Sequence, residues 1–318
     1  MIMLILLAAL VIGGISIVGF VYLAPATATR TFLSVERWRA GLVRKEIDLP
    51  DGTLYVYLEG GQGEPLMLLH GFGANKDSFP RVARFLTPHY RVIVPDHIGF
   101  GESAHPPDAD YSAAAQAERL HAFAHALGIK TLDVCGNSMG GQMALTYAAL
   151  HPAEVKSLWL LAPAGIWSAP PSELRQMIET TGQNPLLIRN EDEFANLIAL
   201  VMNDPPFIPR TVLNVLARER MRNLDLEERI FKQIATDSIE ERVRGLKMPA
   251  LIVWGDRDRL LNVATADILH GLLPKSQVII MPNIGHAPMV ERAQQSAEDY
   301  LKFRAGLANE ARKIDQVI

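Results

Sequence analysis

The sequence predicts an α/β fold, in which a mostly parallel sheet is covered by helices on both faces, with one membrane-spanning helix ahead of it. From residue 43 onward, short apolar runs bounded by turn residues alternate with helical stretches. The runs are almost continuously apolar, which is typical of strands buried on both faces of a sheet. A long apolar segment at the N-terminus lies outside this alternation. The 318 residues suffice for one large domain with an insertion.

Residues 1–29 are predicted to be a transmembrane anchor. No charged side chain precedes Arg30, and the 22 residues from Ile2 to Leu23 form an apolar run. As a helix this run is about 33 Å long, close to the hydrocarbon thickness of a bilayer. A secretory signal has a basic residue ahead of a shorter apolar core, although the small residues 26–28 resemble a cleavage site. We therefore expect the segment to be retained.

Residues 30–42 are predicted to form an amphipathic helix next to the membrane. The segment mixes large apolar side chains with arginines, and Trp38 suits the level of the lipid headgroups. An ordinary helix packed against the following domain explains the same pattern equally well. Both interpretations therefore stay open.

Residues 43–166 and 248–305 are predicted to form the α/β core. The first two strands, 43–49 and 53–59, form a hairpin around Asp51-Gly52. Buried strands follow at residues 65–71, 90–96, 132–138, 155–164, 250–256 and 277–283. Helices are expected at residues 77–86, 112–127, 140–151, 263–272 and 290–305, and residues 306–318 form a C-terminal tail.

Residues 167–247 interrupt the alternation of strands and helices. The interval has helical patterns but no convincing strand. We therefore expect a helical insertion that forms a cap or lid over the core.

Composition argues against nucleic-acid binding and against a disulfide-stabilised domain. The formal net charge is −4, so the chain has no excess of basic residues for a polyanion. The lone Cys135 has no partner for an intrachain disulfide, and we expect it to be a small core residue.

Ser138 is the predicted nucleophile. The stretch Gly136-Asn137-Ser138-Met139-Gly140 lies between a predicted strand and a predicted helix. A serine on such a sharp turn exposes its hydroxyl, and flanking glycines let the neighbouring backbone approach. The bare pattern arises by chance in about one chain in ten, so its strand-turn-helix setting is what makes it informative.

A serine nucleophile needs a base and an acid that orients the base. His286 follows the last predicted strand, and Asp258 follows the strand before it. Asp256 is the rival acid. We prefer Asp258, because Asp256 and Arg257 carry the chain beyond the end of the strand before Asp258 is reached. Asp256 then stabilises the turn.

The oxyanion of an acyl-transfer reaction needs backbone N–H donors. Residues 70–73, His-Gly-Phe-Gly, end the third predicted strand in a loop that is able to point its amides at the nucleophile. The amides of Phe72 and Met139 are the candidate pair. We interpret His70 as a structural hydrogen-bonding residue rather than a second base.

These motifs together resemble the α/β-hydrolase superfamily over residues 43–305. HGFG, DHIGFGES, GNSMGG, WGDRD and GHAPMVE occur in that family's order and spacing. The resemblance is to its lipase and esterase branch and, given the N-terminal anchor, to membrane-anchored bacterial phospholipases A1. It implies an eight-stranded sheet, a cap after the sixth strand, no cofactor or metal, and Ser138, Asp258 and His286 as the catalytic triad.

Other activities of the same fold remain alternatives. Epoxide hydrolases and haloalkane dehalogenases use an acidic nucleophile where this chain has Ser138, which argues against both. Generic carboxylesterases, carbon–carbon hydrolases and perhydrolases also use a serine. A binding protein without catalysis is the least favoured alternative, because every catalytic motif is present.

The cap favours an acyl-chain substrate, because apolar side chains there would roof the triad. We expect phospholipase A1 or lysophospholipase activity on glycerophospholipids, although packing of the cap against the core explains the same side chains. The candidate pocket residues are Met177, Phe194, Ile198, Met202, Phe207 and Phe231.

His121 and His125 have the one-turn spacing of a zinc pair on a predicted helix. No third ligand is evident in the sequence, so helix packing is the favoured interpretation.

The orientation and assembly of the anchor are also predicted. Five basic residues within positions 30–45 argue for a cytoplasmic catalytic domain by the positive-inside rule. The resemblance to secreted and anchored lipases argues for the periplasmic side of a bacterial inner membrane, which we expect. Ala9 and Gly13, with small residues at 16 and 19, predict a homodimer through the transmembrane helix.

Overall fold

The computed structural model describes residues 1, 3 and 16–315 of the chain. Most of the predicted transmembrane span, including Ala9 and Gly13, therefore lies outside the described residues. In the part that is described, no helix has both the length and the apolar character needed to cross a membrane.

One eight-stranded sheet forms the centre of the fold, in the order β1-β2-β4-β3-β5-β6-β7-β8. β2 runs antiparallel to β1 and β4, and the remaining neighbours are parallel. The prediction of an α/β fold with a mostly parallel sheet is thus confirmed. The strands are β1 Leu42–Asp48, β2 Leu54–Gly60, β3 Glu64–Leu69, β4 Tyr90–Pro95, β5 Leu132–Asn137, β6 Val155–Leu161, β7 Ala250–Gly255 and β8 Ser276–Met281.

Helices follow or connect the strands. A 3-10 turn at Lys76–Ser78 and the short α2 replace the single helix expected at residues 77–86, because Pro80 has no amide hydrogen and begins a new helix. The final helix continues to Asp315, through most of the expected tail. The helices are α1 Pro25–Arg39, α2 Pro80–Ala83, α3 Ala113–Ala126, α4 Met139–Leu150, α5 Glu173–Thr181, α6 Glu191–Val201, α7 Arg210–Met221, α8 Leu224–Ile234, α9 Glu240–Val243, α10 Thr265–Leu272, α11 Pro288–Glu291 and α12 Ala293–Asp315.

Two apolar layers cover the sheet, one on each face. Successive strand residues point to opposite faces, so Val134 joins the layer under α3 and α4 while Cys135 joins the layer under α2 and α12. Both residues are buried, and Cys135 carries a free thiol. Burial on both faces explains why the strands are continuously apolar in sequence.

The cap is the interval between β6 and β7, which contains helices α5 to α9 and no strand along its described length. It has a small apolar centre of its own around Ile188, Phe194, Leu197 and Ala217. The insertion therefore has a separate packed layer above the carboxyl ends of the strands.

The N-terminal segment is helical from residue 16 to 23 and again in α1, with a break at Ala24. α1 packs against cap helix α7 and against α2. Both guanidinium contacts from Arg37 to the Asp77 carboxylate measure 2.6 Å. Trp38 is nevertheless 78% exposed. The segment is thus attached to the domain on one side and presents apolar side chains on the other.

Candidate active site

Ser138 lies at the turn between β5 and α4, with φ 57° and ψ −120°. This left-handed conformation is costly for a residue with a side chain, and it persists because the surrounding backbone leaves no alternative. A Cβ on Gly136 would lie 2.2 Å from the Gly140 carbonyl oxygen, and one on Gly140 would lie 2.1 Å from the Leu69 oxygen. The strand, the turn and the helix therefore approach as closely as backbone atoms allow.

Hydrogen bonds fix the turn from both sides. The Ser138 amide donates to the Leu161 carbonyl at 3.1 Å, and its own carbonyl accepts from Ala164 at 2.9 Å. The Asn137 side-chain amide donates to the Leu161 oxygen at 2.9 Å and to the His286 oxygen at 3.0 Å. The buried Asn137 side chain thus connects the turn bearing Ser138 (the serine turn) to the loop bearing His286 (residues 284–287, the histidine loop). No local sequence pattern predicts this role.

His286 and Asp258 form a buried pair. The His286 Nδ1 lies 2.7 Å from Asp258 Oδ2, and the exposed side-chain fractions are 4% and 0%. Asp258 Oδ1 accepts from the amides of Leu260 and Leu261 at 2.8 and 3.0 Å. Since the carboxylate accepts at Nδ1, the imidazole carries its proton there, and Nε2 is the basic nitrogen.

The basic nitrogen of His286 is buried and has no hydrogen-bond partner among the residues that the structure describes. The Ser138 hydroxyl therefore does not bond to it in this structure. Catalytic hydrogen bonds are often long before substrate binds and tighten in the complex. The Asn137 bridge still brings the histidine loop to the serine turn.

Asp256 does not contact the imidazole. Its Oδ1 accepts from the Asn283 amide at 2.6 Å, and its side chain is 36% exposed. Asn283 has φ 59°, so this bond holds a strained turn between β8 and the histidine loop. Asp258 thus contacts the imidazole, and Asp256 contacts the turn.

Glu291 anchors the histidine loop, a role that no local sequence pattern predicts. Its carboxylate accepts from the Gly285 amide at 3.0 Å and from the amides of Asn203 and Asp204 at 2.8 Å each. The His286 amide in turn donates to the Val201 carbonyl at 2.7 Å. The buried Glu291 carboxylate therefore joins the end of cap helix α6 to the histidine loop.

The loop after β3 lies against the serine turn. A Cβ on Gly71 would lie 3.2 Å from the Ser138 Cβ, which places this loop in contact with the nucleophile. The amides of Phe72 and Met139 donate to no protein acceptor within the described ranges. Met139 begins α4, where N–H groups lack intrahelical partners and the helix dipole is positive. Both amides are thus available to an anionic oxygen.

His70 is a structural residue of this loop. Its Nδ1 lies 2.8 Å from the Gly71 carbonyl, and its Nε2 accepts from the His97 amide at 3.1 Å. Burial lowers the pKa of His70 to about 4, with the Gly71 carbonyl opposing the shift. A neutral ring with both nitrogens occupied is unsuited to act as a second base, as expected.

A buried ion pair between Arg220 and Glu227 of the cap lies against the loop after β3. The Arg220 Nε lies 3.1 Å from Glu227 Oε2, and the exposed side-chain fractions are 8% and 5%. The guanidinium lies 5.8 Å from the Phe72 ring centre, and a Cβ on Gly73 would lie 2.0 Å from its Nη2. Burial raises the pKa of Glu227, and Arg220 opposes that shift. This pair was not predicted, because its relation to the loop depends on how the cap folds back.

A second charged network lies behind the loop. Lys76 is 1% exposed, and its Nζ lies 2.7 Å from Asp96 Oδ2 and 2.6 Å from Glu102 Oε1. Asp96 also accepts from the Lys76 and Glu102 amides. The Ser103 hydroxyl donates to the Asp96 carbonyl at 2.9 Å. Asp96 and Ser103 therefore hold the loop after β4 against the loop after β3.

The candidate acyl-pocket residues are dispersed in the structure. Phe231 packs edge-on against Phe72, with ring centres 5.4 Å apart. Phe207 is 92% exposed and therefore lines no pocket here, because it lies in the irregular segment between α6 and α7. The other candidates pack within the cap or between cap and core: Met177, Phe194, Ile198 and Met202.

The comparisons with known proteins agree with this geometry. A family model described as alpha/beta hydrolase fold matches residues 64–197. The chain is 43% identical over 284 residues to Lipase 1 of Psychrobacter immobilis, covering 87% of this chain and 89% of that lipase. It is 44% identical over 286 residues to Lipase 3 of Moraxella sp. strain TA144, covering 88% and 90%. A crystal structure described as a membrane phospholipase A and bacterial virulence factor matches with TM-score 0.87 and 38% identity, covering 97% of this chain and 100% of that chain.

Proposed function

Given that the chain belongs to the α/β-hydrolase family and is a carboxylic ester hydrolase, we propose that it cleaves the acyl esters of glycerophospholipids, as a phospholipase A1 or lysophospholipase. One observation carries the proposal. A buried Asp258–His286 pair is tied by Asn137 to a strained turn bearing Ser138, in a chain whose N-terminal helix exposes apolar side chains. The pair and the turn supply the ester chemistry that carries the proposal. The exposed apolar side chains of the helix support a lipid substrate.

Acylation begins at the Ser138 hydroxyl. Its Oγ attacks the ester carbonyl carbon while His286 Nε2 accepts the hydroxyl proton. Asp258, already 2.7 Å from Nδ1, stabilises the resulting imidazolium without taking the proton. The tetrahedral intermediate then collapses, the imidazolium gives its proton to the departing alkoxide oxygen, and the acyl group remains on Ser138. The leaving group is lysophospholipid or the glycerophosphoryl headgroup.

Deacylation repeats these steps with water. His286 Nε2 accepts a proton from a water molecule that attacks the acyl-enzyme, and it returns the proton to Ser138 Oγ as the fatty acid leaves. In both halves the carbonyl oxygen becomes an anion. We assign the Phe72 and Met139 amides to the stabilisation of this anion. Each backbone donor of this kind contributes about 3 kcal/mol of transition-state stabilisation.

Exposed apolar side chains near the N-terminus support a membrane location. Ile17, Val18, Tyr22 and Leu23 are each more than half exposed. Contiguous exposed apolar surface of this kind marks a membrane or partner contact in most proteins. The Thr211 hydroxyl of α7 donates to the Val21 carbonyl at 3.4 Å, so this surface adjoins the cap.

The exposed side chain of Phe207 also supports a membrane location. It is 92% exposed in the segment just before α7, the cap helix that packs against α1. A large aromatic side chain in that position suits the interfacial layer of a bilayer better than a pocket lining. The proposed enzyme therefore faces the lipid with the edge of its cap as well as with its N-terminal helix.

A single-pass anchor in a bacterial inner membrane, with the catalytic domain in the periplasm, completes the proposal. The apolar run of the sequence supports the anchor, although residues 2 and 4–15 lie outside the described residues. Protease treatment of intact spheroplasts should digest the catalytic domain while a cytoplasmic marker survives. Protection of the domain would place it in the cytoplasm.

Homodimerisation through Ala9 and Gly13 is the remaining part of the proposal. Small residues four positions apart let two helices approach closely. Cross-linking in native membranes should give a dimer that Gly13→Leu removes and Leu7→Ala does not. Monomers alone at native density would end this part of the proposal.

The function is tested with a substrate panel. Wild type and Ser138→Ala are assayed in detergent against p-nitrophenyl butyrate, phospholipids with different acyl chains at the two positions, lysophospholipids and a carbon–carbon hydrolase substrate. Wild type should release the fatty acid from the sn-1 position, and Ser138→Ala should lose about 10³-fold or more of every activity. Cleavage of short esters without release of fatty acid from either lipid would refute the lipid assignment. No cleavage of any ester would favour a binding protein.

A further inference from the structure

Three histidines and two glutamates converge on the surface at the end of α4 that is remote from Ser138. His121 and His125 lie one turn apart on α3, where the sequence alone showed no third ligand. The fold supplies one, because the turn between α4 and β6 returns Glu154 to this face of α3. The twelve residues of α4 place the cluster about 18 Å from the nucleophile.

Glu154 lies between the two imidazoles. Its Oε1 is 3.0 Å from His121 Nε2 and 3.1 Å from His125 Nε2, and the three ligand atoms all lie within 4.8 Å of one another. Two ligands that bind zinc at about 2.0–2.2 Å in a tetrahedron lie about 3.3–3.6 Å apart. The observed separations therefore need only small side-chain adjustments to admit an ion.

The carboxylate is oriented by a buried tyrosine. The Tyr147 hydroxyl donates to Glu154 Oε2 at 2.7 Å, and Tyr147 is 1% exposed. This bond engages the distant oxygen and leaves Oε1 directed at the histidines. An outer residue that hydrogen-bonds a ligating carboxylate is a common feature of metal sites, where it fixes the ligand's orientation.

His151 supplies a further nitrogen beside the trio. Its ring is stacked on His121, with ring centres 3.8 Å apart and an angle of 3° between the planes. Its Nε2 lies 3.3 Å from Glu118 Oε2 but lacks hydrogen-bond geometry, and it has no other partner among the described residues. Glu118, His121 and His151 form a second group with metal-ligand spacing.

We propose that His121, His125 and Glu154 bind a divalent transition-metal ion such as Zn²⁺. Two imidazoles and one carboxylate suit zinc and its neighbours better than the hard ions calcium or magnesium. The ion joins α3 to the turn before β6 and stabilises the folded state, since the unfolded chain does not hold the three ligands together. It takes no part in ester hydrolysis.

The test uses zinc chloride and the full chain in detergent, purified without a histidine tag and stripped with a chelator. Calorimetric titration should give one equivalent of zinc per chain, and zinc should raise the midpoint of thermal unfolding. His125→Gln and Glu154→Gln should each weaken zinc affinity by about 10-fold or more. His89→Gln, which changes an exposed histidine before β4, is the matched control and should bind as wild type does.

Two further readouts separate metal binding from a folding defect. Cobalt bound to wild type should give visible absorption bands that disappear in His125→Gln and persist in His89→Gln. Hydrolysis of p-nitrophenyl butyrate should stay within about twofold in every variant, because the cluster is remote from the triad. Substoichiometric zinc binding by wild type, or equal affinity in His125→Gln and His89→Gln, would overturn the proposal and leave the cluster as imidazole–carboxylate hydrogen bonds.

Discussion

Replacing Glu291 should damage both stability and catalysis, because one carboxylate holds three amides from two separate segments. In Glu291→Ala, the Gly285 amide loses its acceptor while it is buried, whereas Asn203 and Asp204 are exposed residues whose amides regain water. An orphaned buried donor costs about 1–3 kcal/mol, and the net loss at the two solvent-exposed amides adds about 1 kcal/mol. We expect the free energy of unfolding to fall by about 2–4 kcal/mol.

Glu291→Gln should lose about half as much, because its remaining carbonyl oxygen still accepts. In a domain of this size, the loss in Glu291→Ala corresponds to a fall of about 3–6 °C in the unfolding midpoint. Catalysis should suffer too, since Gly285 precedes His286 and a displacement of about 1 Å near the reacting atoms costs about 100-fold. The loss should appear in kcat, with KM little changed, because Glu291 positions the base rather than binding substrate.

The assay combines thermal unfolding by circular dichroism with steady-state hydrolysis of p-nitrophenyl butyrate at a temperature where all variants are folded. Glu298→Ala is the matched control, since Glu298 is an exposed carboxylate on α12 that accepts from Gln294 one turn away. A folded Glu291→Ala enzyme with the kcat of wild type would refute the argument that this carboxylate positions the histidine loop. An unchanged unfolding midpoint would refute the energetic part.

Three more predictions concern the base, the cap and acid stability. Asp258→Asn should lower kcat about 10⁴-fold, while Asp256→Asn should keep it within about threefold, in the same ester assay. Gly73→Ala should reduce kcat/KM about 10-fold, because its Cβ meets the Arg220 guanidinium, and adding Arg220→Ala should restore part of the loss. Hydrogen bonds from Arg44 and Lys76 outweigh the effect of burial and lower the pKa of Glu102 from 4.5 to about 2. The stability from Glu102 is therefore complete above pH 4.5 and lost as pH falls toward 2; urea unfolding of Glu102→Gln should show a weaker pH dependence there.

The sequence predicts those parts of the site that local chain geometry determines. Ser138 stands between a strand and a helix that are both evident from hydrophobic periodicity, so its place on the turn follows from neighbours within ten residues. The preference for Asp258 over Asp256 also depended only on distance from a strand end. The structure brings Asp258 to 2.7 Å from His286.

The parts that escaped prediction depend on long-range contacts. Glu291 meets Asn203 across 88 positions of the chain, and no local pattern signals that the end of α6 returns to the histidine loop. The acyl-pocket residues were chosen for apolar character, which does not reveal whether Phe207 faces a pocket or solvent. Arg220 and Glu227 stand among other charged residues of the cap sequence, so no local pattern marks them as a buried pair.

The tight packing of the serine turn also bears on how such an enzyme evolves. The position of Ser138 depends on backbone atoms that meet where Gly136, Gly140 and Gly141 have no side chains. The cap, in contrast, is held by side-chain packing and by ion pairs such as the one between Arg220 and Glu227. Mutation therefore has many ways to reshape the cap and almost none to shift the nucleophile. New substrate preferences are accessible through the insertion while the chemistry is inherited intact.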